Sequence, residues 1–343
     1  MKWTRRTLSL IPRRNERKVS LMRIVFMGTP DFAVPALEAL RRGGHPLVAV
    51  VTQPDKPKGR GRQLAASPVK AAAGRLGIPV LQPERIRRPE SVAALQAYEP
   101  DLIVTAAYGQ ILPPAVLTIP VYGCINVHAS LLPKYRGAAP IHWAIIRGEK
   151  ETGITIMYMD AGMDTGDIIL QAAVAIEPAD TVGSVHDKLA ALGADLLVQT
   201  VELIGAGKAP RRPQDAAAAT YAPLLTRADE LIDWGRPAAD IHNLIRGMNP
   251  WPGAYTLDNR GILKIFASEL LPADAALRSV RPGTVAGVIN GQGLVVPAGE
   301  GCLLVRTVKP ENGRLMAADA YCRGNRALEG YVLGTPAAAA GQP

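Results

Sequence analysis

The sequence predicts an α/β protein. A Rossmann-like, mostly parallel N-terminal sheet carries helices on both faces, and a small OB-like β-barrel follows it. Three observations predict this. From Arg23 to Ile204, short apolar runs alternate with amphipathic stretches of helical length, the pattern of a parallel sheet wound with helices. From Gly205 to about Asp229 the chain loses periodicity and turns to Gly, Pro, Ala and basic residues, as a linker does. Beyond it, five short strand-like runs are separated by Asn-, Asp- and Gly-rich turns, which suits a small β domain.

The totals agree. A chain of 343 residues is long enough for two domains with sizeable cores. No apolar run reaches the length of a membrane span. Three distant cysteines, Cys124, Cys302 and Cys322, fit a reducing compartment such as the cytoplasm and give neither a disulfide framework nor a zinc spacing. The net charge of +9 suggests nucleic acid, but seven cations against one acid lie before residue 21, leaving about +3 for the rest. Any nucleic-acid contact must therefore rest on a local cluster.

Residues 1–21 form a basic extension without an apolar h-region, so they do not read as a secretory signal. They read either as an Arg-rich transit segment or as a stretch upstream of a start at Met22. Residues 22–205 form the first domain. Arg23 to Met27 is its first strand, and Thr29 and Asp31 are read as caps of the helix that runs to about Arg42. The turn between them lacks the G-x-G-x-x-G fingerprint of dinucleotide binding. Leu47 to Thr52 is the second strand. Gln53 to Pro68 is a long loop carrying Lys56, Lys58, Arg60 and Arg62 against Asp55; such loops are often functional, and these cations suit phosphates. A solvated, merely flexible loop is the equal alternative.

Helices at 68–76 and 89–98 and strands at 78–82 and 101–105 follow. The most informative strand is Gly123 to His128. Asn126 and His128 interrupt its apolar run two residues apart, so both face one side. A turning loop, Ser130 to Gly137, leads into a helix, and strand ends of this kind are where open α/β sheets place their sites. Ile154 to Met159 and Ile168 to Ile176 read as an antiparallel pair, joined by the loop Gly162 to Asp167 with Asp164 in it. A long amphipathic helix spans 181–204. Residues 206–229 are the linker, 230–331 the second domain and 332–343 a tail. Asn126, His128 and Asp164 together offer an amide donor, a titratable imidazole and a carboxylate.

After Met22 the chain resembles the methionyl-tRNA formyltransferase family over nearly its whole length. The resemblance rests on Phe26 to Phe32, Thr52-Gln53-Pro54-Asp55 with Gly59-Arg60-Gly61, and Ala107-Tyr108-Gly109. It continues through Asn126-Val127-His128, Ser130 to Pro133 and Tyr135 to Pro140, then Thr152 to Met157, Gly162 to Asp167, Ile232-Asp233-Trp234, Arg246 and Asn249 to Gly253. Asn-x-His with the Asp-Thr-Gly-Asp loop is similar to formyltetrahydrofolate transferases and hydrolases at large; the basic loop and second domain resemble the tRNA branch. Leu224 stands where relatives often carry Lys, and the extension before Met22 lies outside the pattern.

The resemblance implies transfer of the formyl group of 10-formyltetrahydrofolate to the methionine amine of initiator Met-tRNA, by a cytoplasmic monomer that uses no metal. It implies that Asn126 and His128 stabilise an oxyanion and that Asp164, beside His128, accepts a proton directly or through water. It assigns Ser130, Leu131, Leu132 and Pro133 to folate binding, although these also read as residues that merely stiffen the loop. It sets Arg60, with Lys56, Lys58 and Arg62, against the tRNA acceptor stem. Tyr135 reads as packing and Arg136 as part of a structural ion pair, with phosphate or acceptor contact as the lesser alternative, and Trp251 reads as a residue joining the domains. A formyltransferase or hydrolase with a small-molecule acceptor, and a non-catalytic RNA-binding protein, are the rival readings.

Overall fold

A computed structural model describes residues 21–58, 63–272 and 275–334. Most of the basic extension, most of the tail, and Arg60 and Arg62 lie outside them. In the first domain the strands are β1 (Ile24–Gly28), β2 (Leu47–Val51), β3 (Lys56–Lys58), β4 (Gln63–Ala65), β5 (Val80–Leu81), β6 (Leu102–Ala106), β7 (Cys124–His128), β8 (Arg136–Gly137), β9 (Glu151–Tyr158) and β10 (Ile168–Ala175). The helices are α1 (Val34–Arg42), α2 (Pro68–Arg75), α3 (Pro89–Gln96), α4 (Pro114–Leu117), α5 (Pro140–Ile146) and α6 (Val182–Gly205).

Seven strands form one sheet in the order β10-β9-β7-β6-β1-β2-β5. The five from β7 to β5 run parallel, while β9 and β10 are antiparallel, as the sequence predicts. Both faces are covered. Ile24 and Phe26 of β1 face a core built with α1, α2, α5 and α6, and Val25 and Met27 face another with α3 and α4. Such double burial is why β1 reads as a continuous apolar run. Thr181 starts α6 by a reciprocal capping pair with Ser184.

The long loop differs from its reading in part: β3 and β4 pair as a short antiparallel ribbon. Thr29 differs too. It is not a helix cap; its hydroxyl donates to Tyr108 O (2.9 Å) and accepts from Gln53 N (3.3 Å). It therefore ties three strand-end loops together.

The second domain is an antiparallel sheet of β12 (Ala254–Asp258), β13 (Gly261–Leu271), β14 (Gly287–Ile289), β15 (Gly293–Pro297), β16 (Cys302–Pro310) and β17 (Met316–Ala317), following β11 (Tyr221–Ala222) in the linker. It packs with α7 (Ala238–Gly247) and with α8 (Ala318–Arg323), a short helix the sequence reading did not find. The two domains touch through α5 and α7, where a Cβ on Gly247 would lie 2.6 Å from Ile146 Cγ1. Arg246, buried at this junction, donates to the carbonyls of Glu177 and Asp180. No helix among the described residues is long and apolar enough to cross a membrane.

Candidate active site

The carboxyl end of β7 opens into a cleft of about 870 Å³. Its walls come from the loops after β1, β6, β7 and β9, with His186 from α6 and Trp251 from the second domain. Asn126 and His128 both line it, as the two-residue strand period dictates. In the sheet, Asn126 pairs with Thr105 on β6 and Met157 on β9. The Thr105 hydroxyl lies 2.7 Å from Asn126 Oδ1 and donates to it. With that bond made, the amide oxygen faces the sheet and Nδ2 is left as the donor for the cleft. Thr105 was not singled out from the sequence, where it reads only as one more β-branched strand residue.

His128 is 5% exposed. Its Nε2 lies 3.0 Å from the Tyr135 carbonyl, and a carbonyl can only accept, so Nε2 carries the proton. In the neutral ring Nδ1 is then the basic nitrogen, and it faces Asp164 Oδ2 at 3.6 Å. Tyr135 holds φ +62 to aim that carbonyl, an uncommon conformation for a non-glycine residue. Its ring is buried and its hydroxyl donates to Glu149 Oε1 (2.7 Å); burial, with the Glu149 charge, pushes the phenol up to about 12. Asp164 Oδ2 also accepts from Gly137 N at 2.9 Å. Gly137 has φ +116, and a Cβ there would lie 2.8 Å from Ala222 O, so only glycine fits.

The four residues assigned to folate by resemblance are not among those lining this cleft. Several of their polar groups bond within the protein. Ser130 is fully buried and its hydroxyl donates to Lys134 O. Thr155 bonds Ser130 O and Leu132 N, and Gln171 bonds Leu132 O. Leu131 packs over Gly153, and the Pro133 carbonyl accepts from Thr220 N. Arg136 is buried, and its partner is the amide of Gln214 and not an acid. Asp167 pairs with Arg211 at 3.6 Å. Trp251 is 44% exposed and meets the rings of His142 and His186 edge-on, so it both joins the domains and lines the cleft.

At that end of the cleft His142 has a buried Nε2 without a hydrogen-bond partner. Burial holds its imidazole below its ordinary value, with a backbone bond at Trp251 opposing and His186 adding to the shift. Away from the cleft, Lys56 stands exposed on the ribbon; Lys58 pairs through its backbone with Gln63. Asp55, the one acid of the loop, is bound by Lys70 Nζ (2.6 Å) and Gln82 Nε2 (2.7 Å). These bonds hold its carboxyl below the usual range. A second hollow, of about 380 Å³, lies in the second domain. Its Tyr321 hydroxyl and Asp258 carboxylate are bonded to each other. Among the described residues no group of His, Cys, Asp or Glu could hold a metal ion.

A parallel sheet whose carboxyl-end cleft presents an amide, an imidazole and a carboxylate has the form of a group-transfer site. Comparison with known proteins gives the class. Residues 22–201 match the formyl transferase family and residues 224–326 match its C-terminal domain. The methionyl-tRNA formyltransferase of Pelotomaculum thermopropionicum is 56% identical over 313 residues, covering 91% of this chain and 99% of that protein. That of Bacillus subtilis is 51% identical over 315 residues, covering 92% and 98%. The chain belongs to the methionyl-tRNA formyltransferase family. The fold is shared more widely: HypX from Aquifex aeolicus, solved in complex with tetrahydrofolic acid, superposes with a TM-score of 0.61 at 16% identity. That match covers 88% of this chain, which spans about half of HypX (47%).

Proposed function

We propose that this chain transfers the formyl group of 10-formyltetrahydrofolate to the amino group of methionine on initiator Met-tRNA. The observation that carries the reading is the convergence of Asn126, His128 and Asp164 on one cleft, each held in a fixed orientation. The cleft has the volume of a small-molecule site, and Ala107, Leu112, Met157 and Met159 give it the apolar wall a flat heterocycle needs.

Transfer breaks the bond from the formyl carbon to N10 and forms one to the amine. The amine loses a proton and N10 gains one. Asn126 Nδ2 donates to the formyl oxygen as that oxygen takes on negative charge; one such donor is worth about 10²–10³ in rate. His128 Nδ1, bare because Nε2–H is committed to Tyr135 O, accepts the amine proton. Asp164, 3.6 Å away, stabilises the imidazolium so formed. His128 then returns the proton to the leaving nitrogen.

Lys56, Lys58, Arg60 and Arg62 contact the acceptor-stem phosphates in this reading. Its support is local: the loop's one acid is already paired with Lys70. The protein acts in the cytoplasm as a monomer, and a sedimentation mass near 36.4 kDa is expected. The decisive experiment is formyl transfer from 10-formyltetrahydrofolate to charged initiator tRNA, with charged elongator tRNA and free methionine alongside. Transfer restricted to the initiator is expected. Folate turnover without formylated tRNA would point to another acceptor or to hydrolysis, and no turnover at all would leave a binding protein.

A further inference from the structure

We infer that Gln214, in the linker between the domains, is a positioning residue for Asp164. The inference rests on the reading of Asp164 as the carboxylate that serves His128. Gln214 Nε2 donates to two carbonyls of the Asp164 loop, those of Asp164 and Gly166, each at 2.8 Å. Its Oε1 accepts from Arg136 Nε (3.1 Å) and Nη2 (2.7 Å). Arg136 is 5% exposed, and among the described residues no acid forms an ion pair with it. A buried guanidinium bound to a neutral amide draws electron density from it and strengthens its N–H donors. The charge of Arg136 thus reaches the loop through Gln214.

The loop needs such a hold. Asp164 sits at φ +53, a conformation that persists only where its surroundings impose it. From one side the loop is confined by Tyr158, whose carbonyl would lie 1.8 Å from a Cβ on Gly166. Gln214 grips it through the carbonyls of Asp164 and Gly166. The same linker segment fixes the other partner of Asp164. Arg136 N donates to Thr220 O (2.9 Å) and Ala138 N to Ala222 O (2.9 Å), which sets the strand carrying Gly137 N. Both restraints on the carboxylate, one on its main chain and one on Oδ2, therefore converge on residues 214–222.

Gln214→Glu separates this role from mere support of Arg136. A glutamate keeps, and adds charge to, the acceptor for Arg136, but it loses both N–H donors and turns an oxygen toward two carbonyls. In the full-length protein we expect kcat to fall about tenfold or more, with KM for both substrates within about twofold of wild type, because a displaced catalytic group costs turnover and not binding. We expect the thermal midpoint to hold or rise, and amide exchange across 162–167 to quicken. Gln214→Met, uncharged and of similar volume, should lose kcat alike, which removes the added charge of the glutamate as the cause; quickened amide exchange confined to 162–167 in either variant keeps the loop role distinct from lost support of Arg136. Asp164→Ala is run beside them. If Asp164→Ala is inactive while either Gln214 variant turns over and exchanges like wild type, the positioning role is overturned. If Asp164→Ala turns over like wild type, the reading of Asp164 itself falls.

Discussion

The end of β7 and the ribbon of β3 and β4 are both proposed to touch substrate, and they are built in opposite ways. Asn126 and His128 sit on a central strand, and Thr105, Tyr135 and Gly137 each fix one atom of the site. The ribbon is fastened at its base, where Asp55 meets Lys70 and Gln82, and Lys56 stands exposed on its first strand. The difference follows from what each must do. A charge developing on one oxygen is stabilised only by a donor already aimed at it. A phosphate backbone is attracted by charge density, which survives considerable freedom of the side chains.

The comparison breaks most readily at Asn126. Asn126→Ala removes the aimed donor and should lower kcat by about 10²–10³ with little change in KM for the tRNA. A loss confined to KM would mean the amide only binds substrate. One step removed, Thr105→Val keeps the shape of the strand but frees the Asn126 amide to flip. A kcat loss of roughly tenfold is expected, from impaired preorganisation; equal kcat would show that Met157 and the sheet suffice to orient it. On the ribbon the prediction is of a different kind. Arg60→Ala should weaken tRNA binding by a few-fold, leave kcat at saturation unchanged, and reduce the slope of log K against log salt by about one. An unchanged slope would rule out a phosphate contact.

The smallest effect concerns pH. Burial holds His45, His142 and His242 below their ordinary value. For such groups the unfolded chain takes up protons first. Their stability is therefore intact above about 6.5 and is lost as pH falls through their lower folded values. His142→Gln should flatten the decline of the thermal midpoint between pH 7 and 5. A decline as steep as in wild type would place the titration in the other two histidines.

Much of this was legible in the chain. The period of β7 put Asn126 and His128 on one face, and the glycine-bounded turn after β9 put Asp164 opposite them. What stayed hidden were residues whose roles arise from register or from distant partners. Thr105 orients an amide only because β6 and β7 pair with Thr105 opposite Asn126. The bonds by which Thr155 and Gln171, from neighbouring strands, hold Ser130 and Leu132 also depend on pairing that no local pattern shows. Gln214 lies in an aperiodic stretch, where local pattern carries no information about what the side chain reaches. Thr29 had the right type for a cap, but tertiary bonds to Tyr108 and Gln53 took its hydroxyl instead.

The two-residue pairing of β8 with β11 bears on where this chain can be cut. By sequence pattern the first domain ends near residue 205. By hydrogen bonding it ends only after Pro223, whose carbonyl still accepts from Trp143 Nε1 at 2.8 Å. A chimera spliced at 205 would carry a complete sheet and helices yet leave the loop around Gly137 unsupported. One spliced after Pro223 would keep the stitch and lose only the second domain. The catalytic module is in this sense longer than its fold.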